Sequence, residues 1–115
     1  MDQAHLLSKW RHLIEPEITR GLTPCSWEML LTMNVTVFEA PHSVVLVRDI
    51  QINGRLMRSI WVAAGELSEV LHLVSQVEQS ARRDGIGALV FIGRRGWIRA
   101  VPGFKEMTTV GLKEL

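Results

Sequence analysis

The residues best suited to chemistry stand in the last third of the chain. There Gly93-Arg94-Arg95-Gly96-Trp97 leads through Ile98 and Arg99 to Pro102-Gly103-Phe104. The guanidinium groups of Arg94, Arg95 and Arg99 are planar, permanently charged donors that fit a phosphate or a carboxylate of a partner. Paired arginines in a turn are more often simply solvated, and aromatics such as Trp97 and Phe104 beside a buried strand more often plug the core than face a ligand. A second candidate is Ala63-Ala64-Gly65-Glu66-Leu67-Ser68, where strand composition gives way to helix composition. A helix start there presents unsatisfied amides that attract an anion. Glu66 and Glu69 lie in that same turn, where they repel an anion and already satisfy the helix dipole.

Residue type and spacing disfavour other chemistries. Cys25 is the only cysteine, so no disulfide closes within the chain, and no CxxC or His-x-x-x-His spacing supplies a zinc site. His5 and His12 are seven residues apart, two helical turns, too far to share a metal. Cys25, one residue into an expected helix, has no histidine beside it in sequence, and a small buried residue is the simpler reading. The chain has no tyrosine to act as a general acid. Glu39, Asp49, Ser59 and Trp61 lie on or beside expected strands, and none is named as a catalytic base.

Periodicity supplies the elements that must position these groups. Leu6, Leu7, Trp10, Leu13 and Ile14 form an amphipathic helix that Pro16 is expected to kink or end near Glu15. Thr23 as cap and Pro24 as first helical residue start a second helix through Trp27, Leu30 and Leu31 to about Asn34. From there the period changes to two, giving strands over Val35–Glu39, Ser43–Arg48 and Arg55–Val62, the last two joined by an Asn53-Gly54 hairpin turn. A long helix follows, with Leu67, Val70, Leu71, Val74, Val77 and Ala81 as its apolar stripe and Asp84-Gly85 as its end. Ala88-Leu89-Val90-Phe91-Ile92 is apolar throughout, the mark of a strand covered on both faces, and a helical crossover makes it parallel to the third strand. Lys105 to Val110 reads as the last strand, with Leu112 to Leu115 trailing it.

Length and composition bound the whole. The 115 residues, 47% of them hydrophobic, suit one domain, 1–115, with one core. A net charge of +1 argues neither for a nucleic-acid-coating protein nor for an acidic tail. No signal peptide and no run of about eighteen apolar residues is present, so a soluble protein in a reducing compartment is expected.

The order of helix, helix, three antiparallel strands, long helix, strand, short helix and strand resembles the GCN5-related N-acetyltransferase (GNAT) fold without its first strand. The mixed-sheet α/β (α+β) chain is similar in particular to small acetyltransferase-like proteins of tailed phages and prophages. In those, Gly-Arg-x-Gly-Trp ends a strand, and a short helix and Gly-Phe follow. Here that pattern stands as Gly93-Arg94-Arg95-Gly96-Trp97 and Gly103-Phe104. The resemblance implies that an active member holds the acetyl-CoA pyrophosphate at an Arg/Gln-x-x-Gly-x-Gly/Ala loop, which maps here to Ala63, Ala64, Gly65 and Leu67. This segment has one glycine, no Arg or Gln ahead of it, and a carboxylate where phosphate would lie.

Two functions follow as expectations. The first is a non-catalytic, degenerate GNAT-like protein acting as a virion-associated structural or interaction component, without a cofactor. It would bind phage structural proteins or other copies of itself, in the host cytoplasm or the phage particle. The second is a small N-acetyltransferase using acetyl-CoA through a divergent loop. Nucleic-acid binding has only the local cluster Arg82, Arg83, Arg94, Arg95 and Arg99 behind it. A bare edge strand at Val35 to Ala40 is the expected place for another chain to pair, unless the N-terminal helices cover it.

Overall fold

β-Branched alternation builds the first half of a sheet. In the computed structural model, which describes residues 3–20, 25–92, 100, 103, 105–107 and 110–115, β1 (Thr36–Ala40), β2 (Ser43–Ile52) and β3 (Arg55–Ala64) form an antiparallel meander. Asn53 and Gly54 have φ of 52° and 79°, the positive pair that a type I′ hairpin turn requires. The turn fixes the register Ile52 to Arg55, and both strands run beyond their expected ends, to Ile52 and Ala64.

The register shifts once. Leu46 faces Val62 but Val47 faces Ile60, so Trp61 is an extra residue in β3. The bulge explains why Ile60 and Val62, two apart, lie in different cores, which strict alternation forbids. It also marks where β3 parts from its other neighbour, β4 (Ala88–Ile92). The parallel pairing joins Arg58–Ile60 to Leu89–Phe91 and stops there, while β3 continues to Ala64.

One core lies under α4 (Leu67–Arg83). Its stripe of Val70, Leu73, Val74, Val77 and Ala81 packs on Val45, Val47, Ile60, Leu89 and Phe91. Leu73 belongs to that stripe, whereas Leu67, expected in it, is 49% exposed. The helix ends in a Schellman motif: Gly85 in the left-handed region (φ 74°), Gly85 N–H donating to Arg82 O, and Ile86 N–H donating to Ala81 O at 2.8 Å.

The second core lies on the opposite face, under α1 (Gln3–Lys9), α2 (Arg11–Arg20) and α3 (Trp27–Thr32). Leu7, Trp10, Ile14, Ile18, Trp27 and Leu30 pack there on Val44, Leu46, Val62 and Ala64. These helices differ in part from expectation. Of the two outcomes expected at Pro16, it does not end the helix; α2 runs through it to Arg20, and the break falls at Trp10, whose carbonyl accepts from both Leu13 N–H and Ile14 N–H. Ile14 and Ile18, fully buried on either side of Pro16, each contribute about 1.5–3 kcal/mol of burial, enough to offset the ~3 kcal/mol cost of an interior proline. The next helix starts later than expected, with Ser26 rather than Thr23 as cap: Ser26 Oγ accepts from Met29 N–H at 3.1 Å. Thr23 and Pro24 lie outside the described residues.

The C-terminal segment also differs. Two strands occur where one was expected: β5 (Lys105–Met107) and β6 (Val110–Glu114) pair antiparallel, and the residues read as trailing form β6 itself. β6 inserts between β4 and β5, matching Ala88–Ile92 with Glu114–Val110, and gives the order β1-β2-β3-β4-β6-β5. Leu115 N–H donates to Gly87 O, Lys113 Nζ meets Glu78 at 2.7 Å, and Glu114 pairs with Arg55. Of the short helix expected after Gly96 only Ala100 is described, and it is helical; Trp97 and Phe104 lie outside the described residues. No helix among the described residues is long and apolar enough to cross a membrane.

Pro16 is exposed and leaves His12 O without its usual helical donor. Replacing it by alanine restores that bond while returning some entropy to the unfolded chain. Pro16→Ala is therefore expected to raise stability by about 2 kcal/mol in urea unfolding, and a fall would contradict this reading.

Candidate functional site

The segment between β3 and α4 is where the sequence points to an anion, and there Ser43 ties the turn to the start of β2. Ala63 and Ala64 are buried in opposite cores, and Gly65 turns the chain at φ 123°. A Cβ on Gly65 would lie 2.5 Å from His42 O and 2.6 Å from Ser43 Cα, so only glycine allows this approach of the two chain segments. The approach serves Ser43. Its fully buried hydroxyl accepts from Glu66 N–H at 2.8 Å and donates to Glu69 Oε1 at 2.6 Å. Glu69 Oε1 also accepts from His42 N–H at 3.0 Å. Glu66 is the N-cap residue of α4, but the cap is supplied by Ser43 from another strand.

These contacts decide the electrostatics of the turn. The Ser43 hydroxyl first, and then the His42 main chain and ring, hold the Glu69 carboxyl below its ordinary value of 4.5 although partial burial opposes them. The imidazole of His42 lies 3.7 Å from Glu69 and 3.9 Å from Glu66, and one ligating atom from each of the three groups falls within 4.8 Å of the others. This grouping is not legible in the sequence, because it depends on the β1–β2 turn meeting the start of α4. A helix end favours an exposed anion by about 0.3–1 kcal/mol, whereas a like unit charge about 4 Å away repels it by about 1 kcal/mol even in bulk water. A carboxylate that close to a bound phosphate would therefore offset the pull of the helix end.

A second feature opens where β3 and β4 part. A cavity of about 210 Å³ is lined by Cys25, Met29 and Met33 from the α3 side, by Arg48, Ile50, Ser59 and Trp61 from β2 and β3, and by Ile92 from β4. The bulge at Trp61 brings this residue to the wall, and Arg48 lies 5.8 Å over its ring. Ser59 is 1% exposed. Cys25 is buried and precedes the Ser26 cap, so it is not inside the first turn of the helix as the sequence implied; its Sγ lies 3.3 Å from Ser26 O.

Among the described residues the lining contains no carboxylate and no histidine. The two acids on neighbouring strands are committed elsewhere. Glu39 accepts from Lys9 Nζ at 3.0 Å and from Trp10 Nε1 at 3.3 Å, which together hold its carboxyl below its ordinary value. Asp49 faces α4 and chelates Arg58 at 2.8 and 3.1 Å. The cavity thus offers an apolar pocket with one hydroxyl and one guanidinium, and no general base among the described residues.

Among the candidate positions, the structure brings Ala63, Ala64 and Gly65 together beside Ser43, while Leu67 points outward. Arg94, Arg95 and Arg99 lie outside the described residues. β1 is an edge strand as expected, with Lys9 and Trp10 of the N-terminal helical region reaching its Glu39. The decisive residue that sequence reasoning missed is Ser43, read only as the start of a strand. No family model, no curated protein and no solved structure matches the chain.

Two outcomes follow. Gly65→Ala should cost about 2–4 kcal/mol in denaturant unfolding, since both the positive φ and the approach to Ser43 are violated; a cost under 1 kcal/mol would refute the packing described. Glu69, with its folded pKa depressed, contributes stability that is present above about pH 4.5 and lost as pH falls through the lower folded value. Glu69→Gln should therefore flatten the fall in melting temperature between pH 5 and the acid limit, and an unchanged acid profile would count against it.

Proposed function

We propose that the chain is a degenerate GNAT-like domain that acts by binding another protein rather than by acetyl transfer. One observation carries the reading: at the N-terminus of α4, where the resemblance implies a pyrophosphate, the carboxylate of Glu69 sits on the Ser43 hydroxyl and the His42 amide. The three-stranded meander, the crossover helix and the parallel β4 that follows it support the GNAT-like reading of the scaffold. In the narrower form of the proposal the protein is a virion-associated component of a tailed phage, in the host cytoplasm or the particle. It contacts phage structural proteins or its own copies through the β1 edge and Arg94, Arg95 and Arg99.

A second reading has its own observation. The apolar cavity beside the Trp61 bulge, at the point where β3 and β4 separate, is a place for the acyl end of acetyl-CoA, as a small N-acetyltransferase with a divergent loop requires. Calorimetric titration separates the two. Acetyl-CoA is expected to show no binding tighter than millimolar, and micromolar affinity would transfer the assignment to the acetyltransferase. Mass spectrometry of purified particles tests the narrower form: the protein should be present, and its absence would remove the virion role.

A further inference from the structure

The cavity beside the Trp61 bulge contains a hydroxyl and a cation that find no matching partner among the described residues. Ser59 and Arg48 are directly opposite in the β2–β3 register, so they stand side by side on one face of the sheet, and both line the cavity. Ser59 is 1% exposed, yet its Oγ makes no hydrogen bond among the described residues. The other two buried serines there are bonded: Ser43 Oγ donates to Glu69 and Ser80 Oγ to Val77 O at 2.7 Å. A buried hydroxyl without a partner is costly, because it has given up its bonds to water. An oxygen placed beside Ser59 in the cavity removes that cost.

Arg48 is uncommitted in the same way. It has no acid partner among the described residues; its guanidinium lies 5.8 Å over the Trp61 ring, with Nη1 3.6 Å from Met33 Sδ. Neither a ring face nor a thioether, a weak acceptor, neutralises a guanidinium. The acids of the neighbouring strands are spent elsewhere, Asp49 on Arg58 and Glu39 on Lys9 and Trp10. The rest of the wall is largely apolar, with Met29, Ile50 and Ile92 beside Trp61.

Size narrows the occupant further. The volume of about 210 Å³ is below the roughly 300–1,000 Å³ of drug-sized sites but above the roughly 150 Å³ that admits benzene. One cation, one hydroxyl and apolar walls select a molecule with a single negative charge at one end and hydrocarbon at the other. We propose that the cavity binds a small apolar monocarboxylate, an aromatic or short-chain acid. Its carboxylate accepts from Arg48 and from the Ser59 hydroxyl, and its hydrocarbon lies against Trp61, Ile50 and Ile92. The paired N–H donors of a guanidinium match a carboxylate, whereas a phosphate dianion would meet one cation and bury its second charge against apolar groups. The site shares its cavity with the acetyltransferase reading but not its ligand, because an acetyl thioester brings no charge to Arg48.

The test follows the Trp61 indole N–H and Arg48 Nε–Hε resonances of the full chain by NMR at constant ionic strength. Sodium benzoate and sodium hexanoate are titrated separately, with benzyl alcohol and hexanol as their uncharged counterparts. Both resonances should shift saturably with at least one acid, with a dissociation constant in the low millimolar range or below, and the matching alcohol should bind at least tenfold more weakly. Arg48→Gln should weaken the acid at least tenfold and leave the alcohol unchanged, a split that an unfolded variant cannot give. Saturation by one acid alone supports the site and sets the shape of its hydrocarbon. Acid binding without acetyl-CoA binding supports the carboxylate site apart from the acetyltransferase reading. Acetyl-CoA binding without acid binding overturns the site and leaves that reading standing. Non-saturating shifts with both acids, equal affinity for acid and alcohol, or unchanged acid affinity in Arg48→Gln would also overturn the proposal.

Discussion

The hydroxyl of Ser43 holds three parts of the chain at one point. It lies at the start of β2, receives the N–H of Glu66 and gives its proton to Glu69. Removed from water, it leaves a buried polar group that only these partners satisfy. Gly65 exists as glycine because of it, since any side chain there would occupy the space of the His42–Ser43 main chain. The position of α4 over the sheet, and hence the core of Val70, Val74 and Val77 against Val45 and Ile60, begins at this junction.

The same junction decides what the scaffold can do. A helix N-terminus attracts an anion, and here the first turn carries a carboxylate of its own, Glu69, bound to the Ser43 hydroxyl and the His42 N–H. The chemistry of the turn becomes structural: the carboxylate that would repel a phosphate is the one that ties the helix down. β3 and β4 part beside a small apolar cavity, and the nearby acids, Glu39 and Asp49, are bound to Lys9 and Arg58.

Local signals carried much of the architecture. Asn53-Gly54 announced its turn, the apolar stripe announced α4, and the unbroken Ala88–Ile92 announced a strand buried on both faces, because each depends on residues close in sequence. What was illegible depends on distant ones. Pro16 inside α2 is tolerated only because Ile14 and Ile18 are held by the sheet, and β6 is a strand only because β4 offers it an edge. The bulge at Trp61 cannot be read from alternation, since Arg58, Ser59 and Ile60 look regular until β2 imposes its register. For the candidate site, Gly65 and the two glutamates were visible in the sequence, but the hydroxyl that positions them comes from Ser43, far away in the chain.

The account rests on one coupled contact, and a double-mutant cycle between Ser43→Ala and Glu69→Gln, read by urea unfolding at pH 7, measures it most directly. If the hydroxyl and the carboxylate stabilise each other, the double variant will lose clearly less than the two single variants together. Strict additivity of the two losses would contradict the claim that the first turn of α4 is closed by its own carboxylate.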